Sequence, residues 1–215
     1  ANGNVAWAEG AHASSGSCGT AQNDARIATH PDGSATITGR TKYNLNFGGF
    51  QTSQPQSSYY YHYIAHIDAL GNWQWAKNVS QSYGDMYGSD GSILETLSDG
   101  SMMFATSQFY SQCSSSCTLN MDGTMLNPEN PYYVAAMRLG TNGSKHWTQL
   151  MGESWGSTST SGGMYSTVDG DGVVNILMNT RLSSGYWKMF GISEDGDLAY
   201  YTSSTGGSSG GGVSD

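Results

Sequence analysis

Three stretches decide the fold: His30-Pro-Asp-Gly-Ser-Ala-Thr-Ile-Thr-Gly39, Leu97-Ser-Asp-Gly-Ser-Met-Met-Phe-Ala-Thr106 and Asp169-Gly-Asp-Gly-Val-Val-Asn-Ile-Leu-Met178. Each sets an Asp-Gly pair ahead of an alternating or apolar run. Glycine supplies the positive φ that a tight hairpin turn requires, so each stretch reads as two antiparallel strands about a turn. The turn glycines Gly33, Gly100 and Gly172 lie 67 and 72 residues apart. A second landmark keeps the same phase. An apolar strand, a glycine turn and an aromatic strand recur as Tyr63-Ile-Ala-His-Ile-Asp-Ala-Leu-Gly-Asn-Trp-Gln-Trp75, as Val134-Ala-Ala-Met-Arg-Leu-Gly-Thr-Asn-Gly-Ser-Lys-His-Trp147 and as Lys188-Met-Phe-Gly-Ile-Ser-Glu-Asp-Gly-Asp-Leu-Ala-Tyr200. Trp7, Trp75 and Trp147 are 68 and 72 residues apart. Two landmarks sharing one period define a repeat.

Working outward, the chain divides into units of about 7–74, 75–146 and 147–200, followed by a Gly/Ser-rich tail or linker over 206–215. Each unit carries four strands, the count of a propeller blade. An excursion of variable length interrupts each: 43–58, 107–131 and 182–185. Variable insertions at one point of a repeat project from one face, often the binding face. The stretch Asp197-Leu-Ala-Tyr-Tyr-Thr202 reads as the first strand of a fourth unit.

Composition agrees with an all-β fold. Among 215 residues, Gly reaches 30 and aromatic residues 12%, whereas Lys and Arg together number 8. Turn formers and sheet formers dominate, and charged helix formers are scarce. The net charge of −9 excludes the basic footprint that nucleic acids need and disfavours anionic membrane surfaces. No apolar run approaches the roughly 18 residues of a membrane span. The opening at Ala1, without a signal-like apolar segment, leads to the expectation of a mature secreted protein.

The stretches Asp32-Gly-Ser-Ala-Thr-Ile-Thr-Gly-Arg40, Phe47-Gly-Gly-Phe50 and Tyr63-Ile-Ala-His-Ile-Asp-Ala-Leu-Gly-Asn-Trp-Gln-Trp-Ala-Lys77 resemble the β-propeller repeats of secreted bacterial and archaeal surface proteins. The first unit matches best, the second is looser, and the third lacks the Phe-Gly segment. The resemblance implies a propeller-like fold and a secreted or cell-surface setting. It implies no catalytic residues, because the shared motifs are structural. Closed propellers hold about 4 to 8 blades. Three units therefore imply a longer array, a stack that stays open, or completion by another chain.

Candidate sites are few. Cys113 and Cys117 enclose three serines, and no second ligand pair follows for zinc, so a local disulfide is the first reading; Cys18 is then left over. Tyr59, Tyr61, Tyr132 and Tyr133 precede matching strands, and Trp155 stands alone in a loop; exposed, these rings would contact proteins or glycans, and for the tyrosines burial between neighbouring blades is the equal alternative. The periodic tryptophans are expected in the core. His62 and His66 lie four apart, about 13 Å along a strand, too far to share one metal ion. Both are expected on one wet face. Asp169, Asp171 and Asn175 place oxygen ligands at short intervals as calcium loops do, but no Glu closes the loop. Plain turn chemistry is the first reading there, and calcium is the one cofactor left open. Asn78 and Asn142 head glycosylation sequons. No nucleophile elbow or paired acid/base carboxylates stand out. The expected function is a non-enzymatic extracellular structural or adhesive module, with self-assembly as one form; a carbohydrate-binding or carbohydrate-active protein is the alternative.

Overall fold

The computed structural model describes residues 5–13, 22–53, 60–81, 92–109, 118–128, 132–151, 164–179 and 187–203. Among them every regular element is a strand. The first repeat supplies β1 (His12–Ala13), β2 (Gln22–Thr29), β3 (Ala35–Thr41), β4 (Leu45–Phe47), β5 (Phe50–Thr52), β6 (Tyr61–Ile67) and β7 (Trp73–Gln81). The second supplies β8 (Ser92–Thr96), β9 (Met102–Phe109), β10 (Leu119–Met121), β11 (Thr124–Leu126), β12 (Tyr132–Leu139) and β13 (Lys145–Met151). The third supplies β14 (Met164–Val168), β15 (Val174–Asn179), β16 (Trp187–Ile192) and β17 (Leu198–Ser203).

Each repeat folds into one antiparallel four-stranded meander, β2-β3-β6-β7, β8-β9-β12-β13 and β14-β15-β16-β17. The Asp-Gly turns join first strand to second as the sequence predicts. Gly33, Gly100 and Gly172 donate their N–H to the carbonyls of His30, Leu97 and Asp169 at 3.0, 3.0 and 3.2 Å. Strands β10 and β11 extend the first sheet beyond β7 to six strands, and the Trp strands β7 and β13 close a meander rather than open one. For the same reason β17 is the outer strand of the third sheet and does not begin a fourth unit. The turn at Ser193–Asp197 reverses the chain, so that β17 runs beside β16 from Lys188↔Ser203 to Ile192↔Leu198.

Consecutive sheets pack face to face. Ile64, Trp75 and Val79 of the first sheet meet Leu94, Met102, Phe104 and Met137 of the second. Its opposite face, with Ile93, Met103 and Ala136, meets Val174, Ile176 and Phe190 of the third. Covered on both sides, β9 is buried from Met102 to Ser107 and reads as a continuous apolar run. The first strands of successive sheets touch, β2 with β8 and β8 with β14. Among the described residues the three sheets form an open series; no closed propeller ring is present.

The excursions of the first two repeats are hairpins that reach back. In the second repeat, β10 pairs with the outer strand β7 of the preceding sheet, Asn120 opposite Ser80. In the first, β4 pairs with β1, Asn46 opposite His12. Ser80 lies five residues after Trp75 and His12 five after Trp7. Residues 5–13 therefore occupy, against the first sheet, the place that β7 occupies against the second.

Candidate functional site

What joins one sheet to the next is also what leaves surface unused at either end of the series. The Trp75 indole N–H donates to the Thr141 carbonyl at 2.8 Å, and its ring lies on Gly143. Trp147 donates to the Glu194 carbonyl at 2.7 Å and lies on Gly196. Trp7 donates to the Ala69 carbonyl at 3.2 Å and lies on Gly71. In each case the acceptor precedes the glycine by two residues. Gly143 sits at φ +78°, and a Cβ there would stand 3.0 Å from the Trp75 ring, so backbone and space both call for glycine. The periodic tryptophans are thus couplers between repeats. Trp75 is buried as expected, but Trp147 is half-buried and Trp7 is exposed, because residues 5–11 belong to no strand of a sheet.

The second and third sheets share a further lock. Arg138, buried on β12, donates from Nε to Ser101 Oγ at 2.9 Å, from Nη2 to the Asp99 carboxylate at 2.7 Å and from Nη1 to the Glu194 carbonyl at 2.7 Å. Arg138→Ala is expected to cost about 2 kcal/mol, less than a fully buried pair because water can take over the half-exposed Asp99. Arg138→Lys should recover only part of this, since one ammonium cannot span three acceptors in the guanidinium's geometry. Urea unfolding of both variants checks the order.

Where β2, β8 and β14 converge lies a groove of about 450 Å³. Arg26, Thr29, Glu95, Thr96, Tyr165 and Ser166 line it. Ser166 donates its hydroxyl to Glu95 at 2.5 Å, and the Tyr165 ring is largely exposed. No motif in the sequence pointed to this groove; it exists only because three repeats bring their first strands together.

The residues singled out from sequence fare unevenly. Tyr59, Trp155, Cys18, Cys113 and Cys117 lie outside the described residues. Tyr132 is placed in β12, its backbone opposite Phe109. Tyr61 is a correction: its ring is fully buried, and its hydroxyl donates to the Tyr43 carbonyl at 2.6 Å and bonds the Thr52 hydroxyl at 2.9 Å. Burial pushes its phenol up to about 12. Tyr133 is likewise buried between the first two sheets, and its phenol is pushed up by desolvation. Neither ring offers a contact surface, because β6 and β12 are central strands covered on both faces.

The histidines are a second correction. His62 and His66 lie on one strand, as expected, but the face is dry. His66 stacks on Trp75 at 5.4 Å and shares the Thr36 hydroxyl with His30, at 2.8 and 2.9 Å. His62 packs edge-on against Phe104. Asp169 uses its carboxylate for the turn, accepting the N–H groups of Asp171 and Val173 at 3.0 Å and the Asn175 amide at 3.2 Å. Those bonds hold its carboxyl below the usual range. Asp171 is exposed and the Asn175 side-chain oxygen receives the Tyr200 hydroxyl. Among the described residues no three His, Cys, Asp or Glu side chains gather as a metal site. Asn142 is exposed in its turn, whereas the Asn78 amide donates to the Ser53 carbonyl at 2.6 Å.

The chain matches no protein-family model and no curated protein. Among the described residues no helix is long and apolar enough to cross a membrane.

Proposed function

We propose that the chain is a non-enzymatic, extracellular structural or adhesive module of β-propeller type that works by docking its sheets and loops against protein or glycan surfaces. One observation carries this reading: the outward face of the third sheet exposes Tyr165, Leu177 and Trp187, large apolar side chains that a solitary sheet face would not be expected to present to water. The acidic, Lys-poor composition supports an extracellular setting, and the repeat supports a propeller-type array. The test is a glycan and polysaccharide panel scored for both binding and hydrolysis. Binding without turnover is expected from an adhesive module. Release of reducing sugar by the purified chain would overturn the non-enzymatic reading.

A second reading, glycan capture, is favoured by the groove itself. An exposed aromatic ring beside a carboxylate, a guanidinium and hydroxyls is the mixture that sugars bind, stacking on one face and hydrogen-bonding at the rim. Tyr165→Ala should abolish any binding on that panel if the groove is the site.

A further inference from the structure

The two ends of the series expose the two halves of an interface that the chain already makes twice. The sheets can be compared position by position through their turn glycines. Ile93 on the second sheet is 2% exposed beneath the third; its counterpart Tyr165 on the third sheet is 62% exposed. Ala105 is fully buried, and its counterpart Leu177 is 40% exposed. At the other end, Leu94 is 6% exposed beneath the first sheet, and its counterpart Ile27 on the first sheet is 66% exposed. The third sheet thus presents an uncovered donor face, and the first sheet an acceptor face that is open along β2, where Ile27 lies, and already covered at β6, where Tyr61 and Ala65 are fully buried.

The acceptor end already holds part of such a contact. Residues 5–13, a segment that ends in the two-residue strand β1, lie on the first sheet through the Trp7 bond to Ala69, the Gly71 turn and the β1–β4 pairing. These are the contacts by which β7 sits on the second sheet. Among the described residues this segment pairs only with the β4–β5 hairpin and has no four-stranded meander of its own beside it. On the third sheet, β17 is the poorest outer strand of the set: it is exposed at every residue but Thr202, and it carries Tyr200 where the others carry Trp.

We propose that a second copy of this chain docks head to tail, its third sheet packing on the first sheet in the manner of the two internal interfaces. The seated segment 5–13, which ends in β1, then takes the outer position that β17 holds in the isolated chain. The interface is heterologous, and two such contacts close two copies into a ring of six sheets, three from each, within the about 4 to 8 of closed propellers. This inference rests on the protein-docking part of the function proposed above and names a second copy as the partner; a monomeric chain that binds glycans without turnover would refute it and leave the adhesive reading standing.

Light scattering across a range of concentrations tests it. The expected particle is 45.6 kDa, twice the chain's 22.8 kDa. Tyr165→Lys with Leu177→Lys destroys the donor face, and Ile27→Lys the acceptor face. All three positions are exposed in the isolated chain, so both variants should keep the wild-type far-UV spectrum and weigh 22.8 kDa. Mixing the two variants pairs one intact donor face with one intact acceptor face and should restore a two-chain particle. A wild-type chain that stays at 22.8 kDa throughout overturns the proposal. So does an oligomer that survives both substitutions, or variants that fail to complement.

Discussion

Trp75→Ala is expected to remove about 4 kcal/mol of folding stability. The indole is buried between the first two sheets, stacks on His66 with ring planes 9° apart, and bonds the Thr141 carbonyl of the next repeat. Alanine leaves a cavity in the core that couples these sheets and an unpaired carbonyl at its rim. Domains of this size are held by only about 5–15 kcal/mol, so the loss is a large share of the total. The three couplers should rank by burial. Trp75 should cost most, half-buried Trp147 less, and Trp7, 39% exposed, least. Denaturant unfolding of the three alanine variants reads the order directly; equal losses for Trp7 and Trp75 would show that burial against the following repeat is not what these residues contribute.

The same tryptophans explain how much of the fold the sequence disclosed. Each coupler must meet a glycine turn one repeat ahead, so Trp and Gly recur in phase and the period is legible without coordinates. The four strands of each meander were legible too, because the turns from first to second and from third to fourth strand each need a glycine. Which strand closes a sheet was not, since one period can be cut at any point; Asp197–Thr202 looked like a beginning and is an end. The back-reaching hairpins carried a signal that went unused. Leu45-Asn-Phe-Gly-Gly49 and Leu119-Asn-Met-Asp-Gly123 share one pattern, in which the Asn side chain accepts the N–H of the turn glycine at 2.7 Å. The burial of Tyr61, Tyr133, His62 and His66 could not be read from alternation. Alternation separates wet from dry only when one face of a strand is solvated, and β6 and β12 have neighbours on both. The groove was least legible: Arg26, Glu95 and Tyr165 lie far apart in the chain and are brought together only by the stacking of whole repeats.

Dry histidines between sheets make the fold acid-labile. His62 is fully buried, its ring nitrogens have no hydrogen-bond partner, and it faces the Arg40 guanidinium. Burial, with the Arg40 charge added, pushes it down to about 3; the Gly39 carbonyl lies near enough to favour the cation slightly but not in bonding geometry. His30 and His66 are also pushed down by burial; Asp32 opposes the shift at both, while His30 adds to it at His66. An unfolded chain protonates its histidines near 6.5, whereas folded His62 stays neutral until about 3. The stability that neutral His62 contributes is therefore complete above pH 6.5 and declines as pH falls from there toward 3. Its slope approaches about 1.4 kcal/mol per pH unit, or about 2 kcal/mol lost between pH 7 and pH 5 from this residue alone. His30 and His66 steepen the decline. Urea midpoints at pH 7, 6 and 5 should fall in step, and His62→Leu, which removes the group that cannot charge, should flatten the curve by about 1 kcal/mol per pH unit below 6. A wild-type midpoint that holds constant from pH 7 to 5 would mean that His62 finds water or a partner when it protonates, and that the first sheet's covered face opens more readily than its packing implies.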